Sequence, residues 1–145
     1  MCKLQSPITI TKPDITFYEI DSQIVWNELS ALNITIPLGL WDAPTYYYTT
    51  LWGIKETVKY CRKVEDFPKY QIAKFDCEDF AILLKGKMSK EFGINAFGIA
   101  LGMTTMGYHA FNLARAEQNW VFVEPQTGEV FEIGEKGYTC EKVIL

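Results

Sequence analysis

Cys77 lies in the stretch KFDCEDFA, residues 74–81, where an amphipathic helix is expected to begin. A thiol there has the makings of a nucleophile, because the unpaired N–H groups and the dipole of a helix start favour the thiolate. A nucleophilic thiol needs a base, and His109 is the only histidine in the 145 residues. An imidazole with an ordinary pKa of about 6.5 is suited to take that proton. The base in turn needs an acid to orient it. HAFNLARA and NWVFVE read as a hairpin closed at AEQN, and strand side chains alternate with period two. If the turn centres between 116 and 117, Glu124 faces His109 directly. One residue further along, His109 faces Gln126 and Glu124 keeps the same side, while Asn112 and Asn119 point the other way. Glu124 is therefore the expected orienting acid. Gln71, six residues before Cys77, would help the Cys77 N–H hold a developing oxyanion.

Three acids surround the thiol. Asp76, Glu78 and Asp79 oppose its ionisation, so they need an occupation of their own. Asp76 and Asp79 stand in capping-box positions. A bound Ca²⁺ or Mn²⁺ is the alternative, since hard cations take carboxylate oxygens, although no EF-hand spacing is present. The residues themselves require no cofactor.

The elements that would position these groups follow from periodicity. Phe80, Leu84, Met88 and Phe92 recur at steps of four, and Gly93 stops the run, which predicts a helix over 77–92. Earlier, residues 7–20 alternate in strand fashion around Pro13, which suggests an edge strand or arm. DSQIVWNELSAL and GIKETVKYCRK read as helices, and 64–75 as a loop. After residue 93 come strand-like runs NAFGIALG, YHAFNLARA, NWVFVEP, GEVFEIG and GYTCEKVIL, separated by turn chemistry. Helices followed by antiparallel strands indicate α+β. No linker or repeat divides the chain, so one domain over 1–145 is expected, with a helical or extended half at 1–69 and a core half at 70–145.

Composition excludes several partners. A net charge of −4 and a pI near 5.0 leave no basic face for nucleic acid or anionic lipid. No apolar run approaches the roughly 20 residues of a membrane span, and the first residues lack signal-peptide order. A cytoplasmic location, or release without a signal peptide, is the expectation, with virion association as a further option. The four cysteines form no CxxC pair, and a core of this size needs no disulfide, so reduced thiols are expected. The run Tyr46 to Tyr48 with Trp41 and Trp52 would form core or line a groove, and Met103 and Met106 precede His109.

Cys77 after "FD", "YHAFN" around His109 and "WVFVEP" ending in an acid together resemble the papain-like and transglutaminase-like cysteine hydrolase superfamily, over roughly residues 70–130. Within it the chain looks most similar to the papain-like C-terminal domain of a fungal agglutinin. Glu124 stands where transglutaminases have Asp and papain has Asn. The resemblance implies a nucleophile helix on an antiparallel sheet and a Cys77–His109–Glu124 triad acting on a protein or peptide. Gln71 takes the place of the glutamine that precedes the nucleophile in papain-type enzymes. The agglutinin likeness also implies calcium dependence. Two alternatives stand beside it: a cell-wall peptidase of the NlpC type, where "FDC" also opens the helix, and a non-catalytic binding or virion-type structural domain that keeps the fold.

Overall fold

The computed structural model describes residues 9–37 and 43–145. The chain runs β1 (Phe17–Asp21), α1 (Ser22–Ala31), β2 (Thr45–Thr49), α2 (Leu51–Glu65), α3 (Cys77–Phe92), β3 (Phe97–Thr104), β4 (Gly107–Ala116), β5 (Asn119–Glu124), β6 (Glu129–Glu132) and β7 (Lys142–Ile144). Each helix starts where its capping chemistry dictates. The Asp21 carboxylate accepts from Gln23 N at α1, and the Thr50 side chain accepts from Gly53 N at α2. α3 begins at Cys77 and ends at Gly93, whose φ of 67° closes the helix in the left-handed region. The helix expected over 77–92 therefore has its expected ends. α2 begins two residues before the expected GIKETVKYCRK, because Thr50 supplies the cap.

All seven strands join one sheet, in the path β1-β2-β4-β3-β7 with β5 and β6 continuing from β4. The expectation of a purely antiparallel sheet is corrected here: β2 lies parallel to β4 through Thr49 and Ala116, which makes the sheet mixed. The cause is tertiary. β4 follows β2 only after α2, α3 and β3, and no local turn sets that pairing. Of residues 9–20 only Phe17–Ile20 are strand, so Pro13 sits in an extended arm and β1 forms a sheet edge. GYTCEKVIL keeps only three strand residues, Lys142–Ile144.

Strand alternation divides the core. Phe111, Leu113, Trp120 and Phe122 pack with Val25, Leu29, Ile34 and Tyr46 in one cluster. Ala114, Ala116, Val121 and Val123 pack with Ile54, Val58, Leu84 and Met88 in another, beneath α2 and α3. Each fully buried Leu, Ile or Phe contributes roughly 1.5–3 kcal/mol of transfer free energy. Asn112 ties the helical layer to the sheet, because its Nδ2 donates to Ala81 O and to Gly98 O, each at 3.0 Å. Gly102 marks a close backbone crossing, since a Cβ there would lie 1.8 Å from Thr139 O.

Candidate functional site

β4 and β5 pair as Asn112 with Val123 and Ala116 with Asn119, across a two-residue turn at Glu117 and Gln118. This is the second of the two registers considered from sequence, and it leaves His109 and Glu124 on one side. His109 Nε2 donates to Glu124 Oε2 at 2.8 Å. The same oxygen accepts from Tyr138 Oη at 2.9 Å, and Glu124 Oε1 accepts from Gln126 N at 3.0 Å. Burial raises the Glu124 carboxyl, but the hydrogen bonds from His109 and the Gln126 amide outweigh it and hold the group below the usual 4.5. Sequence reasoning missed Tyr138. It reaches Glu124 from the loop before β7, and nothing in GYTC signals a partner 14 residues back. Its hydroxyl is pushed up to about 12, by burial and then by the adjacent Glu124 charge. Arg62 was missed too. From α2 it donates to the carbonyls of Pro125, Gln126 and Thr127 and so fixes the chain that leaves β5.

The thiol makes no hydrogen bond to this cluster. The His109 ring packs beside Phe111 and Tyr138, on the face of the first core cluster, whereas α3 lays its apolar residues on the other face. Cys77 Sγ lies 3.4 Å from Glu78 Oε2 and near the N–H of Ala110, and it makes no hydrogen bond to the imidazole. Its pKa is raised. Burial is the largest cause, followed among the raising effects by the hydrogen bond and charge of Glu78 and the charge of Asp76, against partial relief from the Ala110 N–H. The neutral thiol is the favoured resting form. Cys61 and Cys140 are free as well, each pushed up to about 12 chiefly by burial.

Gln71 is exposed in a tight turn, where its backbone exchanges hydrogen bonds with Phe75. The acids largely serve the helix end. Asp79 Oδ2 accepts from Asp76 N at 3.2 Å, and Asp76 Oδ2 accepts from Ala73 N at 3.2 Å. Asp76 is raised and Glu78 lowered, chiefly by the hydrogen bond they share. Asp76, Cys77 and Glu78 bring one ligand atom each within 4.8 Å. For a Ca²⁺ or Mn²⁺ ion that set fits poorly: one donor is a soft thiol, one Asp76 oxygen is committed to Ala73, and Asp79 is turned to its own cap. Trp41 lies outside the described residues. Of the other rings named from sequence, Tyr46 is buried and Tyr47 and Trp52 are exposed.

A second polar junction lies at the far end of the β4–β5 hairpin. Arg115 Nε and Nη2 and Trp120 Nε1 all donate to the Glu28 carboxylate, at 2.8 to 2.9 Å. The Arg115 guanidinium also sits 4.2 Å from the Tyr48 ring centroid. Alternating polarity in β4 gave no sign of this, because the partner comes from α1.

Residues 23–145 match the family described as the ricin-type beta-trefoil lectin C-terminal domain, and the chain belongs to it. Two solved structures resemble it. One is titled a complex of PSL1a with E64, at TM-score 0.70 and 20% identity, covering 88% of this chain and 51% of that one. The other is Polyporus squamosus lectin bound to the human-type influenza-binding epitope Neu5Acα2-6Galβ1-4GlcNAc, at TM-score 0.64 and 20% identity, covering 88% and 49%. The chain thus spans about half the length of the lectins it matches. No curated protein sequence matches it.

These findings correct the reading drawn from KFDCEDFA. The expected membership in the papain-like or transglutaminase-like hydrolases, and with it the fold name, gives way to the lectin family. The expected cysteine peptidase or acyl transferase, its NlpC-type variant and its peptide substrate give way with it. At the site the His109–Glu124 hydrogen bond expected from sequence is present, while the Cys77 thiol is raised by burial and by the neighbouring acids and makes no hydrogen bond to the imidazole. Among the described residues no helix is long and apolar enough to cross a membrane.

Proposed function

We propose that this chain is a non-catalytic, carbohydrate-recognising domain of lectin type. Membership in the lectin C-terminal domain family over residues 23–145 carries the reading. The surface supports it. Tyr18, Tyr47, Trp52, Tyr70 and Tyr108 are all exposed rings, and sugar recognition uses aromatic faces flanked by a few fixed polar groups. The lectins that resemble this chain are about twice its length, so the proposal assigns to this half a recognition surface of its own. In this reading Glu124, His109 and Tyr138 form a satisfied junction that locks the loop before β7 onto the sheet, and Cys77 is a partly buried thiol at a helix start.

The test is a glycan array probed with the isolated chain, run beside a fluorogenic peptide library. Retention on a defined set of glycans, with no peptide turnover, is the expected result. Failure to retain any glycan would overturn the proposal, and so would peptide turnover that disappears in Cys77→Ser.

A further inference from the structure

We infer that the sugar site lies at the Tyr18–Tyr48 shelf and the Glu117–Asn119 turn, and that it takes a neutral saccharide. The inference rests on the lectin reading above and names its site and ligand class. Tyr18 and Tyr48 are directly opposed across β1 and β2, with ring centroids 5.4 Å apart and planes 29° from parallel. Tyr18 remains 43% exposed, so the shelf has a free apolar surface. Beside it opens a cleft of about 500 Å³ lined by Tyr18, Tyr48, Glu117, Gln118 and Asn119. A pyranose has one face of C–H groups, which suits the negative face of an aromatic ring, and a rim of hydroxyls. Gln118 and Asn119 bring two amides, each with donors and an acceptor, to meet such a rim.

The turn is fixed before any ligand arrives. Glu117 holds φ at 57°, a conformation that a non-glycine residue seldom adopts. Its N–H donates to Thr49 O at 3.0 Å, and Arg115 Nη1 donates to its carbonyl. The guanidinium that holds the turn also braces the Tyr48 ring. Shelf and turn are thus one rigid unit, and preorganisation lowers the entropy lost on binding. Glu117, Gln118 and Asn119 also edge a second cleft of about 500 Å³, which runs over Leu51, Trp120 and Ile133, so a ligand longer than one sugar has a continuation. Charge selects the ligand. Glu117 is the one charged residue of the five that line the shelf cleft, and Glu117 with Glu132 borders the second, where Glu28 is already paired with Arg115, so a carboxylate-bearing sugar meets repulsion.

Galβ1-4GlcNAc and its sialylated form Neu5Acα2-6Galβ1-4GlcNAc are titrated against the full chain by calorimetry and by amide chemical-shift mapping. Binding of the neutral disaccharide at least fivefold tighter is expected, with shifts centred on residues 18, 48 and 117–119. Tyr18→Ala and the pair Gln118→Ala with Asn119→Ala each weaken it at least tenfold, and Tyr18→Trp retains it. Ile72→Ala, an exposed apolar side chain outside both clefts, leaves it unchanged. Tyr48→Ala is avoided because Tyr48 also packs against the core. If the chain binds but Tyr18→Ala binds equally well, or the sialylated form is preferred, the site inference is overturned and the lectin reading stands. If neither the two sugars nor the glycan array is bound, the lectin reading falls and the inference with it.

Discussion

Replacing Glu124 with alanine removes the acceptor for three donors at once: His109 Nε2 at 2.8 Å, Tyr138 Oη at 2.9 Å and Gln126 N at 3.0 Å. Glu124 is 8% exposed, so water does not readily substitute. A buried donor left unpaired costs about 1–3 kcal/mol. His109 and Tyr138 are only partly covered, which places each near the lower end, so the sum is about 3–5 kcal/mol. Glu124→Gln retains one acceptor oxygen and loses about 1–2 kcal/mol on the same reasoning. Urea unfolding measures both. With a slope of about 1–3 kcal/mol/M, Glu124→Ala moves the midpoint down by roughly 2 M. The linkage sign supplies a second check. The folded carboxyl lies below its ordinary 4.5, so its contribution is complete above that value and is lost as pH falls through the folded pKa. The gap between the native chain and Glu124→Gln is therefore wide at neutral pH and narrows in acid. A Glu124→Ala loss under about 0.5 kcal/mol, or a gap that widens in acid, would refute the junction as described.

The thiol chemistry predicts that Glu78→Gln speeds iodoacetamide labelling of Cys77 at about pH 7.5, roughly two- to tenfold, because it removes a charge that opposes ionisation. Mass spectrometry of the Cys77 peptide reads this, and an unchanged rate contradicts the cause assigned. Asn112→Ala is expected to lose about 2–3 kcal/mol in thermal or urea unfolding, since the carbonyls of Ala81 and Gly98 lose their shared donor. Gly102→Ala is expected to lose more than about 2 kcal/mol, because its methyl would meet the Thr139 backbone rather than a yielding side chain. A Gly102→Ala chain as stable as the native one would show that the crossing has slack.

The local elements were legible wherever local chemistry decides them. A four-residue apolar period with Asp76 before it and Gly93 after it specifies α3 to the residue, and the alternating runs of 97–124 give β3, β4 and β5. Hairpin parity placed His109 and Glu124 on one side because a two-residue turn leaves little freedom of register. Sequence likewise identified the acids at the start of α3 as an obstacle to a thiolate at Cys77.

What it could not decide were contacts between segments distant along the chain. Cys77 and His109 were joined by their chemical suitability, but whether they meet depends on how α3 sits against β4; the expected bond of His109 to Glu124 formed, and Tyr138 joined it from a loop that local sequence does not connect to it. The parallel pairing of β2 with β4 carries no periodic signature, yet it brings Tyr48 beside the Glu117–Asn119 turn. Arg115 in an apolar strand made sense only once α1 delivered Glu28 to it. Hydrogen-bond and apolar periodicities are properties of neighbours in sequence, so the chain by itself determined its helices and hairpins. The layering of those pieces is set by burial of the two apolar clusters, and that layering decided which polar groups meet.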